Sequence, residues 1–484
     1  MDYYAFAWCN KIETCISYAV FPPTINDYTF TGNDFTIKVP EESIVDYQTS
    51  DGWSKFKYEA YHNFELNANL MRALNSSTSR TFTLTVPDGG EWSIDEESMP
   101  SWVTVSPKKG TGTQNVNVSV KYLEQTGNRE GEVKFKLNGK SATAVLKVEQ
   151  YDSEYEDGKE IKHFTSTKGN GVNIVFMGDC FDAADIANGT YKSVMEEAIG
   201  HFFNIEPYHT YKNYFNVSSV VAMSPESGLG TDNNPKESKF SSVYKNVTGI
   251  QINSKPVFQY ACKAEKVKES KLYQTLVVVI ENTHEYGSVS YLWNNGSAIA
   301  VVPRSNNAYP YDFRGVIQHE AGGHAFGKLG DEYSSTAEGS YYQGNTAHDV
   351  KFQHAKSLGW YANLSVSGDM SQIDWAHLMQ HKDYQNIVNV YEGGYFHLYG
   401  VYRSEKTGCM VNNIPYYSAV SRQAIVKRIM EYAGEEFSLE DFYQYDVRDA
   451  SLGNASRSVS GNVVYDNSYR QYTPRFMGEK PNLN

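Results

Sequence analysis

Cysteine is nearly missing from this chain. Cys9, Cys15, Cys180, Cys262 and Cys409 are five residues in 484, with no Cys-x-x-Cys pair and no metal-ligand spacing. That excludes a thiolate zinc site, and the odd count leaves at least one thiol unpaired within a monomer; Cys409, beside Met410, reads as buried rather than reactive. Basic clusters are missing too. With 43 Lys and Arg against 57 Asp and Glu the net charge is -14, which argues against nucleic acid and anionic membrane surfaces as partners. No apolar run approaches the roughly 20 residues that span a membrane. The start shows no leader pattern: Met1-Asp2-Tyr3-Tyr4 has no basic segment, and Asn10, Lys11, Glu13 and Thr14 break the stretch that follows.

What is present describes a folded, multidomain protein. The hydrophobic fraction is 40% and the aromatic fraction 14%, and the length exceeds one typical core, so two or three domains are expected. The 38 tyrosines suit either surfaces that contact peptides or glycans or a β-rich core with wet edges. Residues 1–77 read as a β-rich region of unknown role, with strands predicted at Tyr28-Thr29-Phe30 and from Phe35 to Val39. From Thr81 the alternation is clear: 81–86, 102–105, 116–120, 133–137 and 144–148 read as strands separated by turn residues, which predicts a small β-sandwich over 78–151. The acidic, polar stretch from Tyr151 to Lys159 reads as a linker. Beyond it, apolar strands at 172–177, 276–280 and 298–302 alternate with a helix near 191–203, and 152–484 is expected to be an α/β domain.

The chemistry is concentrated at residues 319–333, His-Glu-Ala-Gly-Gly-His-Ala-Phe-Gly-Lys-Leu-Gly-Asp-Glu-Tyr. Three protein ligands hold a catalytic zinc and leave one position for water, so a zinc hydrolase is the leading expectation. His319 and His324 are two expected ligands, and Glu320 is the expected general base. Gly327 and Gly330 should end the helix and bring Asp331 or Glu332 round as the third; Asp331 follows those glycines most directly and is preferred. Histidines at i and i+5 diverge by about 140° on a regular helix, against about 40° at i and i+4. A π-bulge at Ala321 to Gly323 is therefore predicted, with Gly322 and Gly323 tolerating the wider turn.

Other residues carry weaker signals. Asp179, Asp182 and Asp185 suit helix N-capping better than calcium, since their spacing misses the EF-hand pattern. Residues Ser288 to Ser297 are a candidate strand edge for an extended substrate, bound by backbone pairing. His354, His377, His381 and His397 lack paired spacing and read as polar packing residues, with His377 a candidate to line a cleft.

The lengthened histidine spacing resembles the His-Glu-x-x-Gly-His motif of certain dipeptidyl peptidases. Together with Val175-Phe176-Met177-Gly178-Asp179, Tyr391-Glu392-Gly393-Gly394-Tyr395, Gly400-Val401-Tyr402-Arg403 and Cys409-Met410, the 319–333 segment resembles the zinc metallopeptidases of the immunoglobulin A peptidase family, common in gut Bacteroides-type bacteria. The resemblance implies a metzincin-like fold with Met410 in a methionine-containing turn beneath Zn2+. Asp331 resembles the metzincin third-ligand position, shifted by one residue, and Tyr402 is a candidate oxyanion donor. Trp102, the turn from Ser106 to Gly112 and the closing Val148-Glu149-Gln150 resemble the BACON domain, a module proposed to bind carbohydrate or mucin. Trp92 and Trp102 nevertheless read as core, and the module as a spacer first.

The expectation is a zinc-dependent endopeptidase acting on a protein or peptide substrate, including host glycoproteins. Because the relatives are exported, an extracytoplasmic or cell-surface location is expected, from a longer or differently chosen start. The alternatives are an exopeptidase with the same site, told apart by where it cuts, and a non-catalytic glycan- or mucin-binding protein with a degenerate zinc domain. The retained Glu320 speaks against the last, since a structural zinc site needs no unliganded glutamate beside its first histidine.

Overall fold

The structure, a computed structural model, describes residues 4–9, 11–32, 35–246, 248–285, 287–334, 346–448 and 472–483. Of the residues read for a leader, Met1 to Tyr3 and Asn10 lie outside the described residues. The chain divides into two units, Met1–Gln150 and Tyr151–Asn484.

In the first unit, Thr14–Ile16, Thr36–Pro40 and Lys57–Tyr61 form a parallel sheet over a core of Phe30, Phe35, Ile37, Val39, Tyr47 and Trp53. Tyr28 to Phe30 form a turn and not the predicted strand. The Asn26 side chain accepts from the Tyr28 N–H and its carbonyl from the Thr29 N–H, so local Asn chemistry overrides the apolar alternation. A sandwich follows. One sheet runs in the order Glu65–Leu66, Thr78–Thr85, Gln114–Val120, Val103–Ser106, the other Leu70–Ala73, Thr143–Gln150, Arg129–Leu137, Glu91–Ile94, Lys109–Thr111. Alternate residues face inward, among them Phe82, Leu84, Val116, Val118, Phe135 and Val148. Strand pairing begins at Glu65, upstream of where the alternation becomes readable. Trp92 is buried against Phe135, and Trp102 is half-buried beneath the Arg129 guanidinium, so neither offers an open stacking face.

The second unit is built on one mixed sheet. Its strands are β1 (Glu160–Phe164), β2 (Val172–Asp179), β3 (Phe215–Val220), β4 (Thr275–Glu281), β5 (Val289–Leu292), β6 (Ala298–Pro303) and β7 (Arg475–Phe476), in the order β1-β3-β2-β4-β6-β5-β7. Strands β3, β2, β4 and β6 run parallel, while β1 and β5 are antiparallel to their neighbours. The central strands β2, β4 and β6 are near-continuous apolar runs, as a sheet covered on both faces requires. The Ser254–Ala261 helix packs with Val277, Val279, Val289 and Tyr291 on one face. On the other, Phe202 of the Thr190–Phe203 helix meets Phe176, and the helix that carries the histidines lies against β6 and β5.

The expected edge at Ser288 to Ser297 is partly closed. Strand β7 pairs in parallel with β5, Tyr291 against Arg475 and Leu292 against Phe476. The pairing continues through Met477 N–H to the Leu292 carbonyl at 2.8 Å and from the Asn294 and Asn295 N–H groups to Gly478 and Glu479, each at 2.9 Å. Phe476 stacks on Trp360, with ring centroids 5.9 Å apart. Among the described residues, the portion of β5 before Tyr291 has no β7 partner. Among the described residues, no helix is long and apolar enough to cross a membrane.

Candidate metal centre

The helix bearing the motif starts where the sequence places it, with Asp312 as N-cap accepting from the Gly315 N–H at 2.9 Å. It is α-helical over Phe313–Ile317 and then widens into a nine-residue π-helix, Gln318–Phe326, far longer than the predicted bulge. The neighbours support the wider turns: Tyr208 donates to the Gly322 carbonyl at 2.6 Å and Tyr417 to that of Gln318. With i to i+5 bonding, residues five apart come onto one side. The His319 and His324 rings lie 4.7 Å apart at 85°. Gly322 and Gly323 are needed for close approach as much as for the turn. A Cβ on Gly323 would collide with the Met410 sulfur, and one on Gly322 with the Tyr417 hydroxyl.

The helix does not end through its glycines. Gly327 keeps helical dihedrals, and the chain reverses at Lys328, which takes φ +53°. Lys328 is buried, with its ammonium on the Ala325 carbonyl and over the Trp360 ring, and these contacts offset the cost of a left-handed non-glycine residue. Asn363 then fixes the returning loop, bonding both the N–H and the carbonyl of Gly330.

This places Asp331 against both imidazoles. Its Oδ1 lies 3.2 Å from His319 Nε2 and 3.1 Å from His324 Nε2. All three side chains are buried. The other ring nitrogens are committed, His319 Nδ1 to the Cys409 carbonyl at 3.0 Å and His324 Nδ1 to that of Leu329 at 2.8 Å, which orients each Nε2 inward. Among the described residues, His324 Nε2 and both Asp331 oxygens have no hydrogen-bond partner despite full burial, because the close atoms miss hydrogen-bond geometry. Burial pushes the Asp331 carboxyl up, yet the two imidazoles prevail and hold it below the ordinary carboxylate range. Burial lowers His324, but Asp331 overrides this and raises it to about 9. The cage attracts positive charge. Ligand atoms on a tetrahedral metal at about 2.1 Å lie about 3.4 Å apart, so two nitrogens and one oxygen at this spacing fit a zinc-sized ion.

Glu332 turns away. Its Oε1 accepts from Asn363 at 3.0 Å and Ser418 at 3.4 Å, and burial raises its pKa to about 7. Glu320 is buried on the same helix, with its Oε2 accepting from Ser290 of β5 at 2.7 Å. Met410 is buried in the short Cys409–Asn412 helix, and its carbonyl accepts from the Glu332 N–H at 2.8 Å.

The remaining sequence candidates lie elsewhere. The Tyr402 hydroxyl bonds Glu392 at 3.3 Å, with no contact to the histidine cage among the described residues. His354 bonds Asn294, His377 bonds Gln423 and His381 stacks on Tyr443, while His397 pairs with Gly394 in a sheet. Asp182 and Asp185 form a capping box on Ala183–Ala187. Asp179 gathers with Cys180 and Glu281 into a second buried group. Its carboxylate accepts from the N–H groups of Cys180, Lys239 and Phe240 and the hydroxyls of Ser224, Ser238 and Ser242. The Ser242 hydroxyl is shared with Glu281, and the other five donors already fill the lone pairs the carboxylate could offer a cation. Asn363 and Tyr208 went unread in the sequence, and Ser290 was read only as part of the 288–297 edge, since no local spacing ties them to the histidines.

Residues 161–384 match the model of the IgA Peptidase M64 family, and residues 91–151 match BACON, described as a putative N-terminal binding domain. The first match stops short of Met410. No curated protein matches. Among solved structures, the Vibrio cholerae VesB protease is 16% identical over 18% of this chain and 31% of its own, with a TM-score of 0.15. A Bacteroides ovatus GH5 xyloglucanase is 15% identical over 44% of each chain, at 0.17. The Caenorhabditis elegans MSP family member WR4 is 8% identical over 19% of this chain and all of its own, at 0.15. The chain thus spans about a third of VesB, and TM-scores this low establish no shared fold. The family model lies over the helix of His319 and His324, so residues 161–384 match a peptidase family, IgA Peptidase M64, and follow a segment that matches BACON.

Proposed function

We propose that this protein is a zinc-dependent endopeptidase with a metzincin-like catalytic domain over 152–484, in which His319, His324 and Asp331 hold Zn2+ and Glu320 is the general base. The observation that carries the reading is the convergence, in a buried cage, of two oriented Nε2 atoms from a helix that also carries Glu320 with the Asp331 carboxylate from the loop that follows, which has no hydrogen-bond partner among the described residues. Zinc, when bound, supplies a Lewis acid that polarises the scissile carbonyl and eases deprotonation of water. Glu320 accepts the proton of the attacking water as its oxygen bonds the carbonyl carbon. It returns that proton to the amine nitrogen as the C–N bond breaks. No covalent enzyme intermediate is needed.

Substrates are proteins or peptides, with extracytoplasmic host glycoproteins the class to test first. The BACON family supports an extracytoplasmic or surface setting, with the sandwich over 78–151 as spacer and glycan contact as its second role.

The deciding experiment exposes a mixed pool of intact proteins to the zinc-loaded chain and to Glu320→Gln, with new termini mapped by mass spectrometry. Internal cuts that fall about 10²- to 10⁴-fold with Glu320→Gln are expected. Cuts confined to chain ends would establish the exopeptidase, and no cuts by a zinc-loaded parent would overturn the peptidase mechanism.

A further inference from the structure

We propose that Ser290 is the positioning residue for Glu320, an inference that rests on the function proposed above. Among the described residues, Ser290 is the one hydrogen-bond donor to the Glu320 carboxylate. Its hydroxyl lies 2.7 Å from Glu320 Oε2 and 3.1 Å from the Glu320 carbonyl. The shorter contact is a charge-assisted bond to one carboxylate oxygen, and the other oxygen carries no hydrogen bond among the described residues. A glutamate has three rotatable side-chain bonds, and a base must present a lone pair at a defined place. Tying down Oε2 leaves Oε1 as the oxygen that receives the proton.

The donor is itself rigidly held. Strand alternation puts Val289, Tyr291 and Trp293 into the core on one face of the sheet and Ser290 on the other, toward the motif helix. Ser290 pairs with Ala300 of β6, and the next two residues of β5 are gripped from the opposite side by β7. The hydroxyl is therefore placed by a strand bonded to β6 at Ser290 itself and to β7 from the next residue on, the kind of support that fixes a catalytic group within a fraction of an ångström. A buried serine that needed only a partner would be satisfied by the Glu320 carbonyl; the closer approach to the carboxylate goes beyond that need.

The test is a cycle of the full zinc-loaded chain, Ser290→Ala, Glu320→Ala and the double variant, read by kcat and KM on a peptide taken from the cleavage map, zinc affinity by chelator competition, and thermal unfolding. Ser290→Ala is expected to lower kcat about 10- to 100-fold, the range for residues that orient a metal site's reacting groups, with KM and zinc affinity within about twofold. The unfolding midpoints should be non-additive, Ser290→Ala costing less once Glu320 is alanine. An unchanged kcat, a loss expressed in KM or zinc content, or additive midpoints would overturn the proposal. If the parent binds zinc and cuts nothing, the proposed function fails first and the role of Ser290 with it, and non-additive midpoints would then mark the bond as purely structural.

Discussion

Asp331 and Glu332 are adjacent carboxylates with separate destinations, one against two imidazoles and the other against Asn363 and Ser418. Asp331→Ala should therefore weaken zinc binding by at least about 100-fold, beyond the usual cost of an outer-shell change, while Glu332→Gln keeps its hydrogen-bonding shape and retains the metal. Zinc content after dialysis against a graded chelator checks both. The motif singled out His319, Glu320 and His324 as candidates because ligand chemistry restricts residue types; Asp331 was preferred for its place after the glycines, whereas the turn that brings it to the imidazoles is made at Lys328. Lys328 as the reversal point was not readable: its left-handed backbone is tolerated only because Ala325 and Trp360 are there to hold the side chain. Ser290 was hidden for the same reason, since its importance exists only once β5 lies beside the motif helix.

At the level of elements, strands β2, β4 and β6 were legible as long apolar runs, because burial on both faces demands them. The nine-residue π-helix was foreseen only as a local bulge; its length reflects Tyr208 and Tyr417 bonding its carbonyls, residues far away in sequence. Strand β7 was invisible, since two residues carry no period. Its removal is expected to be felt nonetheless. Deleting residues 472–484 withdraws Phe476 from Trp360 and bares the edge of β5, which should lower the Tm by about 5 °C and promote self-association through the open edge. Differential scanning calorimetry and light scattering at several concentrations would register the two effects separately.

For the molecule as a whole, the second buried acidic group ties stability to pH. Burial first, and then the charge of Asp179, raise the Glu281 carboxyl well above its ordinary value, while Ser242 and Cys180 donate to it. The folded state therefore holds a proton that the unfolded chain releases. Stability is unaffected below the unfolded pKa of about 4.3 and falls as pH rises beyond it, until the folded group also ionises. Glu281→Gln, neutral throughout, should flatten that fall and raise the Tm at pH 8 by about 2 °C or more relative to the parent, and unfolding midpoints from pH 4 to 9 would measure it. Length and composition led to an expectation of two or three domains, with 1–77 set apart from the sandwich, whereas the chain divides into two units with both regions in the first; the sandwich itself was legible from its alternation. The pairing of β5 with β7 also bears on the order in which a newborn chain acquires competence. A ribosome delivers the motif helix long before Arg475 and Phe476, at about 5–20 residues per second, so the strand that carries Ser290 gains its outer neighbour only after the rest of the peptidase segment has emerged. During synthesis, the residues of the histidine cage and Glu320 are made early and the strand that steadies β5 late, so a chain stopped short of Arg475 would carry the cage without that support.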